Sequence, residues 1–209
     1  MMRIESVASQ PDRVGRYTVR LEDGTVFHLY KQTIQDFSIY PGRELQDDEC
    51  SKLQIAAGEM SAKMRAVRII SASNVSKKDL ERRLVNKGEN PEQAKKAVQW
   101  LEELSLVDDR ATAEQIVRRC ISKGYGVARA RQSLYEKRVP KEYWDEALAD
   151  YPDQSSAIVD YMQRNIQDPA DNRSVKRAMD ALIRKGHSYS EIRRAFKQLE
   201  LQDEFLPED

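Results

Sequence analysis

The chain has 209 residues, 33% of them charged and 7% aromatic, with eight glycines and seven prolines, a composition that favours helices over a sandwich or barrel. Its formal net charge is zero, which argues against a chain whose whole task is to coat naked DNA, since such chains are strongly basic. No apolar run approaches the roughly 18 residues of a membrane span. The amino terminus Met1-Met2-Arg3-Ile4-Glu5 has no signal-peptide core, and Cys50 and Cys120 lie too far apart to suggest a disulfide framework, so the expected compartment is the cytoplasm.

The first 46 residues read as a small β unit. Tyr17-Thr18-Val19-Arg20-Leu21 and Val26-Phe27-His28-Leu29-Tyr30 are β-branched and aromatic runs flanking Glu22-Asp23-Gly24-Thr25. Asp-Gly between such runs is a strong hairpin signal, and Ile4 to Val7 can supply the third strand that a hairpin needs. Pro41-Gly42 marks the last turn before a helix begins near Asp47-Asp48.

From residue 47 onward the period is helical and the pattern repeats. Lys87, Lys137 and Lys185 are 50 and 48 residues apart, and three residues before each stands Leu84, Leu134 or Leu182. Seven before are Leu80, Ala130 and Ala178; seven after are Ala94, Trp144 and Ile192. Ten after come Ala97, Ala147 and Ala195, and eleven after come Val98, Leu148 and Phe196. Apolar positions held in phase over three copies predict an internal repeat of roughly 50 residues. Gly88 and Gly186 are placed to stop helices, Asn90-Pro91-Glu92-Gln93 and Ser188-Tyr189-Ser190-Glu191 to start them with capping boxes, and Lys123-Gly124-Tyr125-Gly126 to separate two helices. Val139-Pro140 begins another helix. The apolar stripes Ala94, Ala97, Val98, Leu101 and Ile192, Ala195, Phe196, Leu199 have the spacing of one buried helix face.

The expected fold is mainly α (α+β overall): a β unit over 1–46, three tandem three-helix repeats over 47–104, 105–150 and 151–200, and an acidic tail over 201–209. Stacked repeats of this kind should give an elongated, curved array. With no heptad seam, a monomer is expected.

The neutral total hides segregated charge. Residues 61–139 carry a net +8 and 171–199 a net +5, against −5 over 140–170 and −5 over 200–209. The candidate contact residues are the basic clusters Arg82, Arg83 and Lys87; Lys95 and Lys96; Arg118, Arg119 and Lys123; and Arg129, Arg131, Lys137 and Arg138. Arg193-Arg194-Lys197 continues the pattern. Such clusters can neutralise phosphates or pair with an acidic protein surface; the plainer alternative is a solvated helix face. Asp108-Asp109 reads as an N-cap followed by an acid favoured by the helix dipole, and Gly124 and Gly126 as caps. Trp100 and Trp144 read as packing residues, and Cys120 as a small core residue. His28 and His187 have no metal partner in sequence, and no nucleophile elbow or phosphate-binding loop is present.

Leu106-Val107-Asp108-Asp109, Ala113, Arg118 to Lys123-Gly124, Gly126, Arg131, Leu134 and Lys137 resemble the signature of the RecX family, bacterial regulators of the RecA recombinase. Val75-Ser76-Lys77-Lys78-Asp79-Leu80 to Leu84 to Lys87-Gly88 is similar to that family's first repeat, and the Asp23-Gly24 β unit to the extension some members carry. The likeness is strongest over 76–148 and rests on repeat phase alone after Tyr151. Two positions depart from the pattern: Thr112 where the family has an aromatic, and Lys137-Arg138 where it has Lys-Gly.

The resemblance implies binding along the groove of the RecA–DNA filament and inhibition of filament growth, ATP hydrolysis and strand exchange. It implies no enzyme activity, no catalytic residue, no metal and no cofactor. RecA is the implied partner, with weak, salt-sensitive affinity for single- and double-stranded DNA and no membrane. Two other functions fit a chain of three-helix units. One is a sequence-specific helix-turn-helix regulator, which expects a helix rich in base-reading side chains at its amino end. The other is a scaffold that binds only proteins, which expects no salt-sensitive DNA affinity.

Overall fold

The runs on either side of Asp23-Gly24 pair as expected in the computed structural model, which describes residues 2–168 and 171–198. The acidic tail 201–209 and Leu199 of the last stripe lie outside the described residues. Strand β2 (Arg16–Leu21) pairs antiparallel with β3 (Val26–Tyr30), Val19 opposite Phe27 and Arg20 opposite Val26. The turn is closed by the Thr25 amide donating to Asp23 Oδ1 (2.9 Å), with Gly24 at φ +85° where a side chain would be strained. Strand β1 (Met2–Val7) joins the other edge of β2 and shifts register between Ile4 and Ser6.

Two elements here have no counterpart in the sequence reading. Helix α1 (Lys31–Asp36) follows β3 directly, and a two-residue strand β4 (Glu44–Leu45) pairs with β1, giving the sheet order β3-β2-β1-β4. Both are too short to carry a periodic signal.

Helix α2 (Asp47–Ala72) starts at a capping box between Gln46 and Glu49. Its first half seals the sheet: Leu53, with Cys50 and Ala57, packs on Ile4, Val19, Leu21, Leu29, Ile39 and Leu45. Its second half turns Ala62 and Ala66 into a different core with Val75, Leu80, Leu84, Ala94, Ala97, Val98, Leu101 and Val107. One helix thus serves two cores, and the β unit braces the first repeat through it.

In that repeat, α3 (Lys77–Asn86) is capped by Ser76 and α4 (Pro91–Glu103) by Asn90. Asn90 Oδ1 accepts from the amides of Glu92 (2.9 Å) and Gln93 (3.5 Å). The reciprocal half of the expected capping box is not formed among the described residues. The Gln93 amide instead reaches across to the Ile55 carbonyl (3.5 Å), beside Gly58, where a Cβ would fall 2.3 Å from it.

The second and third repeats follow the same order. They comprise α5 (Asp109–Ser122), α6 (Val127–Glu136), a 3-10 turn (Lys141–Tyr143) running into α7 (Trp144–Leu148), then α8 (Ser155–Asn165), α9 (Asn172–Arg184) and α10 (Tyr189–Gln198). The in-phase leucines Leu84, Leu134 and Leu182 are all fully buried. The anchor lysines Lys87, Lys137 and Lys185 each close the second helix of a repeat. The next residue is left-handed in all three: Gly88 at φ +90°, Arg138 at +55° and Gly186 at +87°. At Ser188 the capping box is complete, its amide donating to Glu191 Oε2 (2.6 Å) and its Oγ accepting from the Glu191 amide (3.3 Å).

The chain forms two compact units, one ending at Val107 and one beginning at Asp108. Within the second unit the third repeat docks on the glycine-rich loop of the second. The Gly126 amide donates to the Lys185 carbonyl (3.0 Å), and His187 Nε2 lies 3.0 Å from the Gly124 carbonyl. The approach is tight enough that a Cβ on Gly126 would fall 2.0 Å from the Gly186 carbonyl oxygen, and one on Gly186 2.3 Å from the Arg129 nitrogen. Tyr151 ties the end of the second repeat to the same loop, its hydroxyl donating to the Tyr125 carbonyl (2.7 Å); burial pushes its pKa up to about 12. No helix among the described residues is long and apolar enough to cross a membrane.

Candidate nucleic-acid and protein interface

The basic side chains singled out in the sequence divide into those engaged within the fold and those left facing outward. In the first unit, Arg82 and Arg83 both grip Asp79 (2.7 and 2.8 Å), a carboxylate that is 1% exposed at the start of α3. A buried acid without these partners would be costly, so both arginines have a structural task. Lys96 pairs with Glu59 on α2 (2.6 Å), and the hydrogen bond to that carboxylate raises its pKa. Lys95 points outward with no ion pair among the described residues.

A second group gathers where α3 ends against the last turns of α2. Lys87 and Arg83 line a cleft of about 320 Å³ together with Arg65, Arg68, Ile69, Ala72 and Ser73. Arg65 and Arg68 were not among the sequence candidates. Their i, i+3 spacing on α2 was visible, but nothing in the sequence said that α3 would bring Arg83 and Lys87 beside them.

In the second unit the cations lie along α5 and α6. Asp108 caps α5, accepting from the amides of Arg110 (2.8 Å) and Ala111 (3.2 Å), while Asp109 is buried in the first turn. Gly124 ends the helix at φ +62°, and Gly126 is the N-cap of α6. Arg118 lies against Glu114 (3.3 Å), Arg129 against Glu136 (3.6 Å) and Arg131 near Asp145 (3.9 Å), all exposed contacts that bind weakly and exchange readily. Arg119 is exposed, and Lys123 stands 5.9 Å from the Tyr125 ring.

Between these groups Tyr135 is 72% exposed, one turn after Arg131 and just before Lys137 and Arg138. An aromatic presented to solvent among cations has the composition of a contact surface for nucleic acid or an acidic protein face.

The two tryptophans are packing residues. Trp144 donates to the Val139 carbonyl (3.0 Å), and Trp100 packs on the first repeat's core with Lys63 over its ring at 5.2 Å. Cys120 is buried beside Ser133 (3.7 Å). Among the described residues no three His, Cys, Asp or Glu side chains are placed to hold a metal ion. His187 is buried, and its lowered pKa follows first from that burial.

Residues 108–148 match the family model for the second three-helix domain of RecX, the segment that carries this α5–α6 surface. The chain is 22% identical over 192 residues to the regulatory protein RecX of Streptococcus gordonii, covering 90% of this chain and 74% of that one. It is 25% identical over 150 residues to the regulatory protein RecX of Clostridioides difficile, covering 71% and 68%. Among solved structures, a crystal structure of regulatory protein RecX superposes with a TM-score of 0.61 at 20% identity, covering 97% of this chain and all of the other. At that identity the likeness speaks to the fold.

Proposed function

Because the chain belongs to the RecX family of regulatory proteins, we propose that it regulates a RecA recombinase, chiefly as an inhibitor, by binding the recombinase–DNA filament. The supporting observation is the outward cationic face of α5 and α6 around exposed Tyr135, within the segment matched by the family model. Arg118, Arg129 and Arg131 are held by weak, solvent-exposed pairs and are available to a partner at little cost. Bound in the filament groove, such a face meets phosphate and protein together, so the chain limits filament growth, ATP hydrolysis and strand exchange without chemistry of its own.

A sequence-reading helix-turn-helix is less well supported. Such a module inserts the amino end of its recognition helix into the major groove. Here the amino end of α6 is occupied by the third repeat, with the Gly126 amide bonded to Lys185 and Gly186 against Arg129.

Co-sedimentation with recombinase filaments on DNAs of unrelated sequence tests the proposal. The chain should pellet with the filament at equal affinity whatever the sequence, and Arg129→Glu with Arg131→Glu and Lys137→Glu should lose that association. Binding that follows DNA sequence and ignores the recombinase would replace this reading with the helix-turn-helix one.

A further inference from the structure

The cleft between α2 and α3 is lined by four cations and two apolar side chains. Arg65 and Arg68 come from α2, Arg83 from α3 and Lys87 from its C-cap, with Ile69, Ala72 and Ser73 completing the lining. Two carboxylates serve this group, and both stand behind it. Glu89, 7% exposed, accepts from Arg65 Nε (2.5 Å), and Asp79, 1% exposed, holds Arg83. The bond to Glu89 runs through Nε and leaves the terminal nitrogens of Arg65 outside it.

Arg68 is steadied from the β unit, its guanidinium donating over long distances to the Val14 carbonyl (3.5 Å) and the Tyr30 hydroxyl (3.4 Å). Lys87 has no ion pair among the described residues.

The plainer explanation is that Lys and Arg gather here to complement two helix carboxyl ends. Each end amounts to about half a negative charge. The two ends and the two carboxylates together supply about three negative charges against five positive ones, because Asp79 is shared with Arg82. The cleft and its partners therefore retain about two positive charges that the fold does not neutralise.

We propose that this cleft binds a phosphodiester of a nucleic-acid strand, the four cations facing the phosphate and Ile69 and Ala72 the sugar. The excess positive charge suits an anionic phosphodiester, and the volume of about 320 Å³ suits one backbone unit rather than a globular partner. Arg65 and Arg83 are held by buried carboxylates, as groups meant to present forked donors to an oxyanion are. The inference deepens the proposed function by placing a strand contact on the first unit, and it rests on that reading only for which strand is bound.

The test is fluorescence anisotropy of a labelled oligothymidylate titrated with the full chain, without recombinase, over a range of sodium chloride concentrations. Lys87→Ala and the double variant Arg68→Ala with Lys87→Ala should weaken binding and lower the salt slope by about 0.7 per cation removed. Lys52→Ala, which alters an exposed lysine in the second turn of α2, serves as the control and should leave the slope unchanged. Lys87 is exposed and has no ion pair among the described residues, so its single variant keeps the fold, and an unchanged melting temperature checks this.

An unchanged slope in both cleft variants overturns the inference. So does a loss of affinity for a polyglutamate peptide with none for the oligonucleotide, which would make the cleft a protein contact. Displacement by inorganic phosphate with an unchanged oligonucleotide slope would mark a free-anion site and also overturn it. If the slope is unchanged while filament co-sedimentation persists, this inference fails and the regulatory reading stands; if the slope falls but the chain ignores filaments, the reverse holds.

Discussion

Arg138 stands where the other two repeats have Gly88 and Gly186, and it takes the left-handed conformation those glycines take, at φ +55°. The Val139 amide bonds to the Leu134 carbonyl (3.1 Å), so the helix-ending motif forms in spite of the side chain. Arg138→Gly should relieve this strain and stabilise the second unit by about 1 kcal/mol, read from the denaturant midpoint at unchanged slope. Under the proposed function the same variant should inhibit recombinase less well. An unchanged or lower midpoint would mean that the arginine contributes contacts to the fold that offset its backbone.

His187 makes the stability of the second unit depend on pH. It is buried, with Nε2 against the Gly124 carbonyl and Nδ1 lacking a hydrogen-bond partner among the described residues, and its folded pKa lies below the ordinary histidine value. The unfolded chain therefore takes up the proton first. Stability is complete above the unfolded pKa of about 6.5 and falls as pH drops below it, levelling out beneath the folded pKa. Thermal melts from pH 7.5 to 5 should show this loss in the parent chain and a flatter profile in His187→Gln. Parallel profiles would remove the histidine from the account. The burial of His187 was not legible in the sequence, where it reads as a loop residue; it follows from the loop being pressed between two repeats. The cap at Asp108 was legible, because an N-cap needs only its own following amides.

At the scale of elements, what the sequence revealed was what periodicity and punctuation can carry. The hairpin, the start of α2 and the in-phase leucines are set by local pattern. Helix α1 and strand β4 are six and two residues long, too short for a pattern to register, and each exists because it completes the core under α2. The capping box at Asn90 failed in one half because Gln93 is drawn to α2, a partner distant in sequence.

The Gly126–Gly186 contact was hidden for the same reason, and it yields a comparison. Gly88→Ala meets open space and should cost only the left-handed penalty, about 1 kcal/mol. Gly186→Ala adds a collision with Arg129, and should cost about 1–3 kcal/mol more. Gly126→Ala, at an ordinary φ, should cost about 1–3 kcal/mol from the collision alone. Equal losses at Gly88 and Gly186 by chemical denaturation would mean that the two repeats are not held this closely.

The whole molecule consists of two units, each with its own cores and its own cationic surface: the α2–α3 cleft in the first and the α5–α6 face in the second. Net neutrality arises because acids partner many of these cations and further acids lie elsewhere in the chain. The basic clusters were legible as clusters, but sequence could not separate cations committed to the fold, such as Arg82 on Asp79, from those left to a partner, such as Lys87. That division depends on which acids the fold buries beside them.

The proposed function is tested most directly by single-stranded-DNA-dependent ATP hydrolysis of the host's own RecA, measured with this chain well below one per recombinase subunit. The account predicts a clear fall in the rate at those ratios, weakened when Arg129, Arg131 and Lys137 are reversed in charge. A folded chain that leaves hydrolysis unchanged at every ratio would contradict it.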